Sequence, residues 1–176
     1  MTIGAVTAIW LAPATAAPMQ RVRSARLLPG RGLEGDRYAM GGGTWADYPD
    51  LEKQLTLIDA DDVTAVARET GTELTPGDLR RNLVTTGIDL PSLVGGWFAV
   101  GEALLFGMKR CPPCTHLERM TGVRLIKPMV HRGGINAAVF VGGTIRDGDV
   151  VRPVPDEEAA RRGAPTGDRR PVPRQV

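Results

Sequence analysis

The residues best suited to chemistry lie between Lys109 and Gly122, in KRCPPCTHLERMTG. This stretch holds both cysteines of the chain, Cys111 and Cys114, and one of its two histidines, His116. Pro112 and Pro113 remove two backbone donors and restrict φ, which predicts a stiff turn and not a strand interior. Leu117 and Met120, with polar residues between them, predict a short helix after Cys114. A thiol at the head of a helix sits near the positive end of the aligned peptide dipoles. Lys109, Arg110 and Arg119 add positive charge nearby. Both effects favour thiolate, the form that attacks electrophiles and binds soft metals. A free cysteine is also a small apolar residue, often buried and inert, so a purely structural turn is the competing reading.

Two other groups could meet an anion. In PGDLRRNLVTTGIDL, residues 76–90, Arg80, Arg81 and Asn82 stand where a turn enters an apolar strand. Two guanidiniums and an amide there suit forked hydrogen bonds to phosphate or carboxylate. A surface pair of arginines, with Asn82 bonding its own loop, is the simpler local reading. Further on, His131 and Arg132 precede Gly133 and Gly134, whose backbone amides could cradle an anion. The Cys111-Pro-Pro-Cys114 spacing also fits a thiol–disulfide oxidoreductase, but the βαβ context of those proteins is missing. A zinc site from Cys111, Cys114, His116 and His131 is a further alternative; His116 lies too close to Cys114 for the usual tetrahedral pairing.

The elements that must position these groups read mostly as strands. Ile3 to Leu11 is β-branched and aromatic, and Pro13 ends it. Arg21, Arg23 and Arg26 alternate with smaller residues, which predicts a second strand with one solvated face. GLEGDRY, residues 32–38, predicts a turn, with Gly35 at positive φ and Asp36 and Arg37 paired or capping. The glycine-rich loop from Gly41 to Pro49 carries Trp45 and Tyr48, either as a lid over a pocket or tucked onto the core. Gln54 to Ile58 predicts a strand. A helix capped by Asp59 follows, with Val63, Val66 and Ala67 on one face and Gly71 ending it. Residues 93–106 predict two strands around Gly101-Glu102, and Ala137 to Val141 another. Asp147-Gly148 turns into Val150-Val151.

Composition bounds the rest. The 176 residues are 42% hydrophobic and 24% charged, enough for one globular domain. A net charge of +2 argues against nucleic acid as the main partner. Two cysteines are too few for a secreted disulfide scaffold. The early apolar stretch lacks a basic segment before it, and no run is long enough to cross a membrane. A cytoplasmic protein with no membrane partner is the expectation. From Pro153 the chain carries prolines, mixed charges and few large apolar residues, which predicts one domain over residues 1–152 and a disordered Pro/Arg-rich tail over 153–176.

Taken together, GLEGDRY, QLTLID at 54–59, PGDLRRNLVTTGIDL, Pro113-Cys114, and RGG followed by GGTIRDGDVV resemble the MOSC domain. That family is named for the C-terminal domain of molybdenum cofactor sulfurases, and the chain looks like a short stand-alone bacterial member. The resemblance implies a mainly β fold on a strongly curved, barrel-like sheet with a few short helices. It implies association with the molybdenum cofactor, a pterin with a phosphate and a metal-holding dithiolene. Pyridoxal phosphate enters only as a family-level association. The family's characteristic cysteine matches Cys114, as a ligand to molybdenum or as a persulfide sulfur carrier. Arg80, Arg81 and Asn82 match the motif expected to line the cofactor pocket, with Arg132, Gly133 and Gly134 completing it. The implied activities are reduction of an N-hydroxylated small molecule, with a separate electron donor, or sulfur transfer to or from a protein or small molecule. A binding module without catalysis is the alternative. Two departures stand out: the N-terminal barrel domain of larger relatives and a ferredoxin-type cysteine set are both missing from this sequence.

Overall fold

A computed structural model describes residues 2–44 and 51–172. Its strands form where apolar side chains alternate along short runs. They are β1 (Gly4–Leu11), β2 (Gln20–Val22), β3 (Ser24–Leu28), β4 (Gly32–Leu33), β5 (Leu55–Asp59) and β6 (Leu83–Thr86). β7 (Trp97–Val100), β8 (Ala103–Arg110), β9 (Ile135–Val141), β10 (Gly143–Arg146) and β11 (Val150–Val154) follow. Among the described residues four short α-helices accompany them: α1 (Ala60–Thr70), α2 (Thr115–Thr121), α3 (Ile126–Met129) and, after β11, α4 (Asp156–Arg161).

The strands close into a barrel. Neighbours run β11-β7-β8-β9-β5-β6-β1, and β1 pairs back onto β11 with Gly4 opposite Val151. β2 extends this sheet beyond β1, while β10, β3 and β4 form a separate three-stranded sheet. The expected mainly β, barrel-like fold is thus present. The pairings around the barrel are antiparallel except β5 with β6, which run parallel. Parallel neighbours need a crossover, and α1 supplies it. The Asp59 carboxylate caps α1 by accepting the Asp61 N–H at 2.8 Å. Gly71, at φ 65°, ends it as predicted.

Both faces of the barrel wall are covered. Leu57, Leu83, Phe98, Leu105 and Ile135 fill the interior. One residue further along their strands, Ile58 and Val84 point outward and pack under Val63, Val66, Leu117, Leu125 and Met129. On another part of the wall Trp97, Phe106 and Met108 form a third cluster.

Two expectations change. The arginine-rich strand splits at Arg23: β2 stays with β1, and β3 pairs with β10 in the other sheet. Arg21, Arg23 and Arg26 are exposed, as expected, and Arg21 pairs with Asp147 at 2.9 Å. The segment expected as a disordered tail from Pro153 carries ordered elements, β11 to Val154, α4 over Asp156–Arg161 and a short 3-10 turn over Gly167–Arg169. Pro153 and Val154 pair with Phe98 and Trp97 in β11, and α4 then buries Ala159 in the third cluster, beside Ala164. Arg170 reaches back to donate to the Gly95 carbonyl at 3.1 Å, with its guanidinium 5.6 Å from the Phe106 ring centre. Small alanines and arginine stems make these contacts, so the scarcity of large apolar residues misled the composition argument. Trp45 and Tyr48 lie outside the described residues. Among the described residues no helix is long and apolar enough to cross a membrane.

Candidate functional site

Strand β8 delivers the chain to Cys111. The Cys111 N–H donates to the Gly134 carbonyl at 2.9 Å, and its own carbonyl accepts from Arg81 Nη2 at 3.2 Å. Pro112 and Pro113 then turn the chain, and Cys114 takes an extended conformation at the N-cap of α2. The Cys114 carbonyl accepts the N–H groups of Leu117 and Glu118, which starts the helix. Its side chain makes no capping bond and is half-buried, like that of Cys111, and packs partly against the cluster under α1. The Glu118 carboxylate accepts the Leu125 and Ile126 N–H groups at 2.7 and 2.9 Å, tying α2 to α3. Burial pushes the Cys111 thiol pKa up, and nearby Arg81 and Lys109 oppose that only in part.

Arg81 is buried, and carbonyls take up its guanidinium. Nε donates to Gly133 O at 2.7 Å, Nη1 to Leu79 O at 3.0 Å, and Nη2 to Cys111 O. Gly133 and Gly134 are pressed into neighbouring backbone: a Cβ would stand 2.0 Å from Cys111 O at the first and 1.8 Å from Leu57 O at the second. Gly134 also has φ 77°. Arg81, the glycine pair and the Cys111 backbone come together. They meet as a strut that holds the turn, with Arg81 bonded inward.

Asn82 is committed in the same way. Its Oδ1 accepts from Thr56 N at 3.2 Å and Thr56 Oγ1 at 2.9 Å, while Nδ2 donates to Trp10 O at 3.1 Å and Asp36 Oδ2 at 3.3 Å. Asp36 also accepts from Ala12 N, Arg37 Nη1 and Tyr38 N. The GLEGDRY and RRN segments thus share one buried network joining β1, β5 and β6. Thr56 and Trp10 were invisible as members because their partners lie in other strands.

The remaining predicted residues point elsewhere. Arg132 Nη1 pairs with Glu69 on α1 at 2.7 Å and donates to Pro128 O at 3.2 Å. Arg80 donates to Ala17 O and lines a cleft that does not include Cys114. His116 Nε2 lies 3.3 Å from Thr44 Oγ1, which brings the glycine-rich loop to α2. Among the described residues no three His, Cys, Asp or Glu side chains gather as a metal site, so the zinc arrangement is not formed there.

A closed barrel with a half-buried cysteine at the head of a short helix, next to a turn braced by an arginine–glycine strut, defines a class of cysteine-bearing β-barrel domain. The MOSC domain model matches residues 33–152, and the chain belongs to the MOSC domain family. Its fold is similar to that of the YuaD protein from Bacillus subtilis, with a TM-score of 0.70 at 18% identity over 86% of this chain and 94% of that one. It is also similar to YiiM from Geobacillus stearothermophilus (0.67, 14%, covering 86% and 75%) and YiiM from Escherichia coli (0.62, 21%, covering 88% and 70%). Comparison with curated proteins returns no significant match.

Proposed function

We propose that this protein binds the molybdenum cofactor and that Cys114 is its functional thiolate, ligating the metal or carrying sulfur. The observation that supports this is the placement of the two half-buried cysteines: Cys114 stands at the N-cap of α2 with no side-chain capping bond, while the Cys111 backbone is held by Arg81 and Gly134. The donor set fits a metal brought in by a cofactor. One soft thiolate with no companion ligands among the described residues cannot hold a metal alone, but it can complete a coordination sphere supplied mainly by a dithiolene.

Each residue has a task in this reading. The proline turn and the first turn of α2 position Cys114 at the head of the helix. Arg81, Gly133 and Gly134 keep Cys111 and the turn in register with β8 and β9. Asn82 and Asp36 hold the strand ends on which the turn rests. When bound, the cofactor would supply two-electron chemistry at molybdenum for reducing an N-hydroxylated small molecule, with electrons from a separate donor. Without reduction, the same thiolate would attack the outer sulfur of a donor persulfide, breaking the donor's S–S bond and releasing its thiolate, and an acceptor thiolate would then take that sulfur from Cys114 in the same way.

Expression with full cofactor supply, followed by molybdenum and pterin analysis, tests the reading. Wild type and Cys111→Ser should retain molybdenum, and Cys114→Ser should lose it. Full retention in Cys114→Ser would reject metal ligation. Persulfide on Cys114 in metal-free protein, detected by mass spectrometry, would select sulfur carriage.

A further inference from the structure

A cleft of about 410 Å³ lies at the C-terminal end of α2, where Met120, Thr121 and Val123 form one wall. Cys114 heads the same helix and does not line the cleft. Met19 and Leu74 add apolar surface, and Arg80 supplies a guanidinium. Arg80 is half-buried, and its hydrogen bond goes to a neutral carbonyl, that of Ala17. Among the described residues it has no ion pair. Arg37 adds a second positive charge nearby, while the neighbouring Asp36 carboxylate is shared among Ala12, Arg37 and Asn82. The two carboxylates on the cleft wall do not neutralise Arg80. Asp78 turns back onto Thr75 N and Oγ1, both at 2.7 Å, and Glu73 is exposed.

Backbone strain gathers at the same place. Arg80 (φ 58°) and Ala16 (φ 60°) are two non-glycine residues in the left-handed region, both line the cleft, and the Arg80–Ala17 bond ties their segments together. Glycine or asparagine would occupy position 80 with less strain, so the backbone does not call for arginine. Strained residues of this kind persist where the surroundings hold them, often at ligand clamps.

We propose that this cleft binds a small organic anion, an apolar body ending in a carboxylate, at a site separate from Cys114. The carboxylate meets Arg80, and the apolar body lies on Met19, Leu74, Met120 and Val123. The proposal does not depend on cofactor binding at Cys114.

Titration calorimetry on the full chain tests it with octanoate, 1-octanol and inorganic phosphate as separate probes. Octanoate should bind about tenfold or more tightly than either 1-octanol, which lacks the charge, or phosphate, which lacks the apolar body. Arg80→Asn tolerates the positive φ and should erase the preference for octanoate over 1-octanol. Met120→Glu, at an exposed position that leaves folding intact, should weaken octanoate by about tenfold, through repulsion and lost apolar contact. Cys114→Ser should bind octanoate as wild type does. No octanoate binding, equal binding of octanoate and 1-octanol, equal binding of octanoate and phosphate, or unchanged binding in Arg80→Asn would each overturn the proposal.

Discussion

Cys111 and Cys114 are separated only by two prolines, yet the fold holds them differently: Arg81 braces the Cys111 carbonyl, and Cys114 begins α2. With burial raising the Cys111 pKa, its thiolate fraction at a given pH is smaller than that of an ordinary thiol. Its alkylation rate should rise only as pH passes that raised value. Iodoacetamide kinetics should therefore show slow reaction of the Cys114→Ser protein at neutral pH, with the inflection above the usual thiol range. Cys111→Ser, which leaves Cys114, should react faster; the reverse order would contradict the assignment. Asn82 makes the second argument at this scale. It joins Thr56, Trp10 and Asp36 in a buried network, so Asn82→Ala leaves several buried groups without partners. A loss of about 2–4 kcal/mol is expected in urea unfolding, because each orphaned buried group costs on the order of 1–3 kcal/mol. A change below about 1 kcal/mol would mean that water replaces the amide.

At the scale of elements, the turn into β9 and the end of α1 both use glycine at positive φ, for different reasons. Gly71 has open space where a Cβ would go, so only its φ of 65° matters. Gly134 has φ 77° and a carbonyl 1.8 Å from the same position. Gly71→Ala should cost about 1 kcal/mol. Gly134→Ala should cost about 3 kcal/mol or more, since strand backbone must move as well. Thermal melts of the two variants give the ordering, and equal shifts would show that the β9 turn relaxes freely. Gly71 was readable in the sequence from the helix it terminates. Gly133 and Gly134 read instead as an anion cradle, because the backbone that crowds them comes from Leu57 in β5 and from Cys111 just after β8, both distant in the chain.

For the whole molecule, the C-terminal segment is part of the fold. Deleting residues 156–176 removes α4 and uncovers Trp97, Phe106 and the groups around them. The truncated protein should melt several degrees lower, as a loss of about 1 kcal/mol shifts a domain of this size by roughly 2–4 °C. An unchanged melting temperature would return residues 156–176 to the status of a tail. The amino-acid sequence alone determined the β-rich class, the α1 helix with both caps, and the cysteine turn leading into a helix. Those are local matters of side-chain period, capping chemistry and proline stiffness, and neighbouring residues suffice to decide them. Tertiary structure alone decided that β1 closes onto β11 and that alanines bury α4. It also decided that Arg81 and Asn82 face inward to backbone groups while Arg80, beside them, faces a cleft. A guanidinium carries the same charge in each setting; which partner it meets depends on strands brought together from distant parts of the chain, and no local pattern records that pairing.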